Sequence, residues 1–117
     1  MRVISQDGTI DIPYDYFSLS IAGAKIVSGM VEDRNVFSIF CHNLSSPNGT
    51  KLAEYSTEAK AVKAMKMLKE HYGLLSFMKL IAGTTKYEIF INRFTKDDFI
   101  EATTEYFQFP QDDEIEV

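Results

Sequence analysis

The segment of this chain best suited to ligand chemistry is Lys86-Tyr87-Glu88-Ile89-Phe90-Ile91-Asn92-Arg93, followed by Phe94. On an alternating strand Phe90, Asn92 and Phe94 share one face, and Ile89, Ile91 and Arg93 share the other. An aromatic ring beside an amide suits a nucleobase, because the ring stacks and Asn92 offers both a donor and an acceptor. The same pattern also describes a core strand with Phe90 and Phe94 buried and Asn92 near its end, and on pattern alone that reading is favoured. Gln108, alternating with Phe107 and Phe109, is a second candidate, or else it lies on the solvated face of an edge strand. Phosphate oxygens would call for the bidentate fork of Arg. The only arginines are Arg2, Arg34 and Arg93.

Covalent chemistry finds less support. The chain has no glycine-rich phosphate loop, no GxSxG and no HExxH. Cys41 is the single cysteine and follows the apolar run Val36-Phe37-Ser38-Ile39-Phe40, so it reads as a buried structural thiol. His42 is its neighbour, but adjacent strand residues face opposite ways. His42, His71 and Cys41 do not make a zinc spacing, and His71 suits the C-terminal end of a helix. Asp97-Asp98 sits at a helix start, where acids belong for dipole reasons, and Asp112-Asp113-Glu114 lies in the tail. An acid/base dyad needs two carboxyls enclosed in a cleft, and neither pair reads that way. The expectation is a binding protein: no enzyme, no cofactor and no metal.

Composition sets the scale. At 117 residues, 45% of them apolar, the chain forms one ordinary globular domain. The net charge is −5, and four acids without a base fall in Gln111-Asp112-Asp113-Glu114-Ile115-Glu116-Val117. Removing those four charges leaves a body near −1, which argues against a duplex-DNA binder. The first residues lack an apolar leader core, no run approaches a membrane span, and one thiol makes no internal disulfide. These features predict a cytoplasmic protein with no membrane partner. The predicted organisation is a single domain, 1–117, with an acidic tail, 111–117, that is dispensable for the fold.

The elements that must position the candidates follow from periodicity. Residues 2–12 read as a hairpin turning at Asp7-Gly8 in a type I′ turn, and Pro13 stops its second strand. Residues 17–21 alternate as a strand, Ala22-Gly23 turns the chain, and 25–31 return. Glu32-Asp33-Arg34-Asn35 is a polar turn, 36–42 a strand, 45–49 a loop and 51–55 a short last strand. The period then changes to helical. Ser56 or Thr57 caps a helix over 56–72 whose apolar face carries Ala61, Ala64, Met65, Leu68 and Tyr72, and Gly73 ends it. Residues 74–81 form a second buried helix or part of an oligomer interface, since the run is more apolar than a small domain easily buries. A strand over 86–93, a brief helix from Thr95 through Ile100 and a closing strand over 104–109 complete the chain. The predicted fold class is α+β: an antiparallel meander sheet packed against one long helix, with a short second helical segment and C-terminal strands.

Three blocks of the chain resemble a family of small bacteriophage and prophage proteins. They are the opening Arg2-Val3-Ile4-Ser5-Gln6-Asp7-Gly8-Thr9-Ile10-Asp11-Ile12-Pro13-Tyr14, the helix start Tyr55-Ser56-Thr57-Glu58 with Ala64-Met65-Lys66-Met67-Leu68, and the ending Phe107-Gln108-Phe109-Pro110 with its acidic tail. Within that family the chain resembles the first type of Thoeris anti-defence proteins. The resemblance implies an oligomeric sponge in the host cytoplasm that holds cyclic ADP-ribose isomers, and in some members cyclic oligonucleotides, without cleaving them. Of the candidate site residues, it carries over to Asn92; residues 25–48 and 74–86 do not align. A ligand of this kind has an adenine to stack and two phosphates to neutralise, so Phe90, Asn92, Arg93, Arg34 and Gln108, from one chain or two, are the expected binding residues. The alternative is an interaction protein that blocks a host protein through an interface or through acidic mimicry.

Overall fold

The computed structural model describes residues 1–28, 31–43, 46–82, 84, 92, 97, 100 and 103–117, with the side chains of 26–28, 31–33 and 46–48 set aside. The fold is α+β. Strands β3 (Ser18–Ser28), β4 (Val31–Asn43) and β5 (Ser46–Tyr55) form an antiparallel meander packed on one long helix, α1 (Glu58–Ile81). A second, mixed sheet has the order β2-β1-β6, from β1 (Arg2–Ile4), β2 (Asp11–Pro13) and β6 (Tyr106–Gln108). β1 runs antiparallel to β2 and parallel to β6, so the two ends of the chain meet in one sheet.

The hairpin expected over residues 2–12 is present, but its turn is built differently. Among the described residues only glycines have positive φ, so Gly8 (φ 78°) turns the chain without Asp7 joining it. Gly8 N donates to Ser5 O at 3.0 Å, and Ser5 N donates to Ile10 O at 2.8 Å. The Asp7 carboxylate stays inside the turn, accepting from the Ser5 hydroxyl at 2.6 Å and from Thr9 N and Oγ1 at 3.0 and 2.7 Å. An acidic side chain that satisfies its own turn makes a type I′ backbone unnecessary.

The meander has three long strands where the sequence suggests four short ones. Ala22-Gly23 does not turn the chain: both lie inside β3, paired with Ser38 and Phe37. The Phe37 ring lies over Gly23, where a Cβ would stand 3.2 Å from it, and that covering ring lets glycine persist in a strand. Arg34 and Asn35 are not in a turn either; they pair with Ile26 and Lys25. Residues 46–49 belong to β5, with Asn43 paired to Ser46. The long ribbon accounts for extents of 62 × 34 × 20 Å and a radius of gyration of 17.0 Å, against roughly 13 Å for a compact domain of this length.

Helix α1 also runs further than its sequence suggests. Thr57 caps it, its side chain accepting from Lys60 N, and it continues through Gly73 to Ile81. The buried residues Ala61, Ala64, Leu68, Leu75, Met78 and Ile81 recur at three- to four-residue and seven-residue spacings, one stripe over the whole length. His71 lies on that stripe rather than at a helix end, its Nε2 2.8 Å from Thr104 O. Residues 74–81 are therefore the last third of α1: Leu75, Met78 and Ile81 are buried within the chain, while Leu80 is exposed.

The core joins Val3, Ile12, Ile39, Cys41, Leu52, Ala53, Tyr55, Ala61, Ala64, Leu68, Phe109 and Ile115. Its last member belongs to the tail expected to be dispensable, and the structure packs that tail on the core. Ile115 is buried, Asp112 accepts from Ser56 N at 2.8 Å and from Lys60 Nζ at 3.1 Å, and Lys63 Nζ donates to Glu116 O. Gln6 ties the two sheets and this segment together. Its N–H donates to Leu52 O at 2.7 Å, and its amide reaches Glu54 O at 3.2 Å and Pro110 O at 3.0 Å. Of the expected strand over 86–93 all but Asn92 lie outside the described residues, as do Thr95, Asp98 and Phe99 of the brief helix, whereas Asp97 and Ile100 are helical. No helix among the described residues is long and apolar enough to cross a membrane.

Candidate functional site

The small sheet has one dry face and one wet face. Partners in register point to the same side. Val3, Ile12 and Phe107 form the inward row, with Val3 and Ile12 buried and Phe107 packed against the core. The outward rows are Pro13–Arg2–Tyr106 and Asp11–Ile4–Gln108. An exposed tyrosine ring, a guanidinium and a carboxamide thus share one surface, set on the sheet in which β1 and β6 pair. Tyr106 is 54% exposed, unusual for a ring on a well-formed strand.

Arg2 is not idle on this surface. Its Nε donates to Asp11 Oδ1 at 2.8 Å and its Nη2 to Asp11 O at 3.3 Å, while Nη1 has no partner among the described residues. Both partners of the ion pair are about half exposed, and an exposed pair of this kind contributes ~0.2–1 kcal/mol. An incoming phosphate could displace Asp11 from Arg2 at little cost. Gln108 donates through Nε2 to Ser5 O at 3.4 Å, a long contact that holds it along the turn, close to where a Cβ on Gly8 would lie.

Of the five residues picked out from the sequence the structure describes three, Gln108, Arg34 and Asn92, and Gln108 and Arg34 lie on different sheets. Gln108 lies on the small sheet, and Arg34 lies on β4 of the meander, paired with Ile26. Asn92 is exposed in a turn, not on a strand. Phe90 and Arg93 lie outside the described residues. Arg2 and Tyr106 were missed as a pair, because only the parallel β1–β6 register sets them opposite each other across nearly the whole chain.

A second group was also missed. On the outward face of the meander Ser20 Oγ lies 2.6 Å from His42 Nε2. Ser20 is paired with Phe40, whose ring centroid is 6.4 Å from that of His42, and Lys51 is paired with Phe40 on its other side. Cys41 points the other way into the core, as strand alternation requires, and burial pushes its thiol up from the ordinary value. Gly49, at φ 83°, fits beneath the imidazole; a Cβ there would stand 2.6 Å from His42 Cε1. Arg34 shares this face of β4 but lies six residues from Phe40, about 20 Å along a strand.

No family model, curated protein or solved structure matches this chain. Its chemistry therefore rests on these surfaces. Among the described residues no three His, Cys, Asp or Glu side chains come together to hold a metal ion. The carboxylates whose ionisation is most perturbed serve the fold. Asp7 is lowered to about 2, first by the Ser5 hydroxyl and then by the Thr9 N–H. Asp112 is lowered first by the Ser56 N–H. The Tyr72 hydroxyl donates to Asp15 at 2.9 Å and is raised by it, while its ring stacks on Tyr14 at 4.3 Å.

Proposed function

We propose that this protein binds and sequesters a cyclic nucleotide signal, a cyclic ADP-ribose isomer or a cyclic oligonucleotide, without cleaving it, in the cytoplasm of a phage-infected host cell. The observation that carries the reading is the outward pairing of Arg2 with Tyr106, one row from Gln108. The ring offers a stacking face for adenine, worth ~1–3 kcal/mol per base. The guanidinium offers Nη1 to a phosphate, and the carboxamide supplies a donor and an acceptor for base or ribose edges. The resemblance of the chain's opening and ending blocks to the anti-defence family supports the same reading, since those blocks contain Arg2 and Gln108. Asn92 and Arg34 are both exposed and belong to the proposal as residues that a neighbouring chain of a homo-oligomer brings to the ligand.

Titration calorimetry with glycocyclic ADP-ribose isomers and cyclic oligonucleotides, on protein refolded free of ligand, tests it. Tyr106→Ala is expected to weaken binding by ~5- to 150-fold and to leave the fold intact. Absence of heat with every ligand removes the sponge reading. A protein-blocking role is then favoured by a different observation: Tyr16 and Leu80 are 78% and 80% exposed, large apolar side chains suited to a partner surface. Its acidic-mimicry form fits less well, because Asp112 is already bonded to Ser56 and Lys60.

A further inference from the structure

The Ser20–His42 pair has no part in the proposed nucleotide surface, and its geometry is that of a hydroxyl beside its base. We propose that Ser20 is an acylation site: its hydroxyl, with His42 as base, takes an apolar acyl group from an activated ester or thioester.

The first argument is distance. Nucleophile and base must lie within about 2.6–3.2 Å, and Ser20 Oγ stands 2.6 Å from His42 Nε2. In the neutral ring with its proton on Nδ1, Nε2 accepts from the hydroxyl and is positioned to take its proton.

The second argument is that the imidazole is held. Gly49 passes so close beneath the ring that a side chain there would overlap it, with the Cβ position 2.6 Å from Cε1 and 2.7 Å from Nδ1. The backbone at Gly49, φ 83°, is one that other residues rarely adopt, so glycine answers both demands. A free surface histidine samples several rotamers; this one lies against the Gly49 backbone with Nε2 toward Ser20.

The third argument is access and lining. Ser20 is exposed, and the Phe40 side chain paired with it is only part-buried. A reactive hydroxyl with an aromatic side chain beside it favours an apolar acyl chain over a charged one.

The step balances. The Ser20 Oγ–acyl carbon bond forms and the bond from that carbon to the leaving oxygen or sulfur breaks. The hydroxyl proton passes to His42 Nε2 and from there to the leaving group. No oxidant, reductant or metal is needed.

The test uses 4-nitrophenyl butyrate as the acyl donor and the full chain. Nitrophenolate release is followed by absorbance, the butyryl group is counted by intact mass, and peptide mapping separates Ser20 from Ser18 and Lys51. The expected result is one butyryl group per chain on Ser20, lost in Ser20→Ala and formed ~100-fold more slowly in His42→Gln. His42 lies outside the core cluster, and circular dichroism checks that its variant is folded. Should His42→Gln fail to fold, diethyl pyrocarbonate modification of His42 in the folded wild-type chain is expected to slow Ser20 acylation equally. Butyrylation spread over lysines with none on Ser20, or a Ser20 rate unchanged by loss or blocking of His42, overturns the proposal.

Discussion

Gly73 offers a sharp test of how α1 is built. A glycine after an amphipathic stretch reads as a helix stop, yet α1 continues eight residues past it to Ile81. The two readings predict opposite signs for Gly73→Ala. Inside a helix, glycine is ~0.8–1.0 kcal/mol less favourable than alanine, because its unfolded backbone has more freedom to lose. Nothing lies within 4 Å of the position a Cβ would take at Gly73, so no steric cost offsets the gain. Unfolding entropy of ~2.1 cal/mol/K per residue over 117 residues gives about 0.25 kcal/mol per kelvin. The substitution should therefore raise Tm by about 3–4 °C. Were Gly73 instead the left-handed residue closing a helix over 56–72, alanine would cost ~1–2 kcal/mol and Tm would fall by about 4–8 °C. Thermal unfolding followed at 222 nm, with urea titration as a check, measures the sign directly. A fall in Tm refutes the continuous helix.

Three further outcomes follow from the packing. Ile115→Ala should cost ~2–5 kcal/mol, and deletion of 112–117 at least as much, because Ile115 is in the core and Asp112 accepts from Ser56 and Lys60; urea titration measures both. Gly49→Ala should destabilise by ~1–2 kcal/mol for its positive φ alone and more for overlap with His42, read by the same titration together with the imidazole NMR shifts of His42. Asp7 is depressed from 3.8 to about 2, so its contribution to stability is present above 3.8 and lost as pH falls toward about 2. Asp7→Asn should flatten the decline of the urea midpoint across that window while leaving the slope above it unchanged.

The parts of this fold that local chemistry controls were readable from the sequence. Asp7-Gly8 marks a turn in any context, and Thr57 followed by a helical period marks a helix start. Each misreading has a long-range cause. Gly23 looks like a turn because a glycine in a strand leaves a gap, and the Phe37 ring that fills it comes from the neighbouring strand. Glu32-Asp33-Arg34-Asn35 looks like a polar turn because strands avoid runs of charge, but a long ribbon tolerates such a run away from the core. The tail looks expendable because acids usually face water, and the contacts of Ile115 with the core and of Asp112 with Ser56 and Lys60 exist only in the fold. For the candidate surfaces, Gln108 was legible as an amide among aromatics. Arg2 beside Tyr106 was not, nor Ser20 beside His42, because each pair exists only once strand register is set. His42 was read correctly as facing away from Cys41, and the missing information was which residue waited on the other side.

The meeting of β1 with β6 has a consequence for the order in which this protein assembles. Gln6 and Pro110 are bonded across 104 residues of sequence, and β1 is made long before the β6 strand that completes its pairing. The meander and α1 depend on nearer neighbours and should condense while β1 still presents a bare strand edge. Closing so long a loop is slow, so the hairpin of residues 2–13 spends the early life of each molecule as an unprotected template for other chains. Crowded synthesis would then lose protein to aggregation at this step rather than through any weakness of the finished fold.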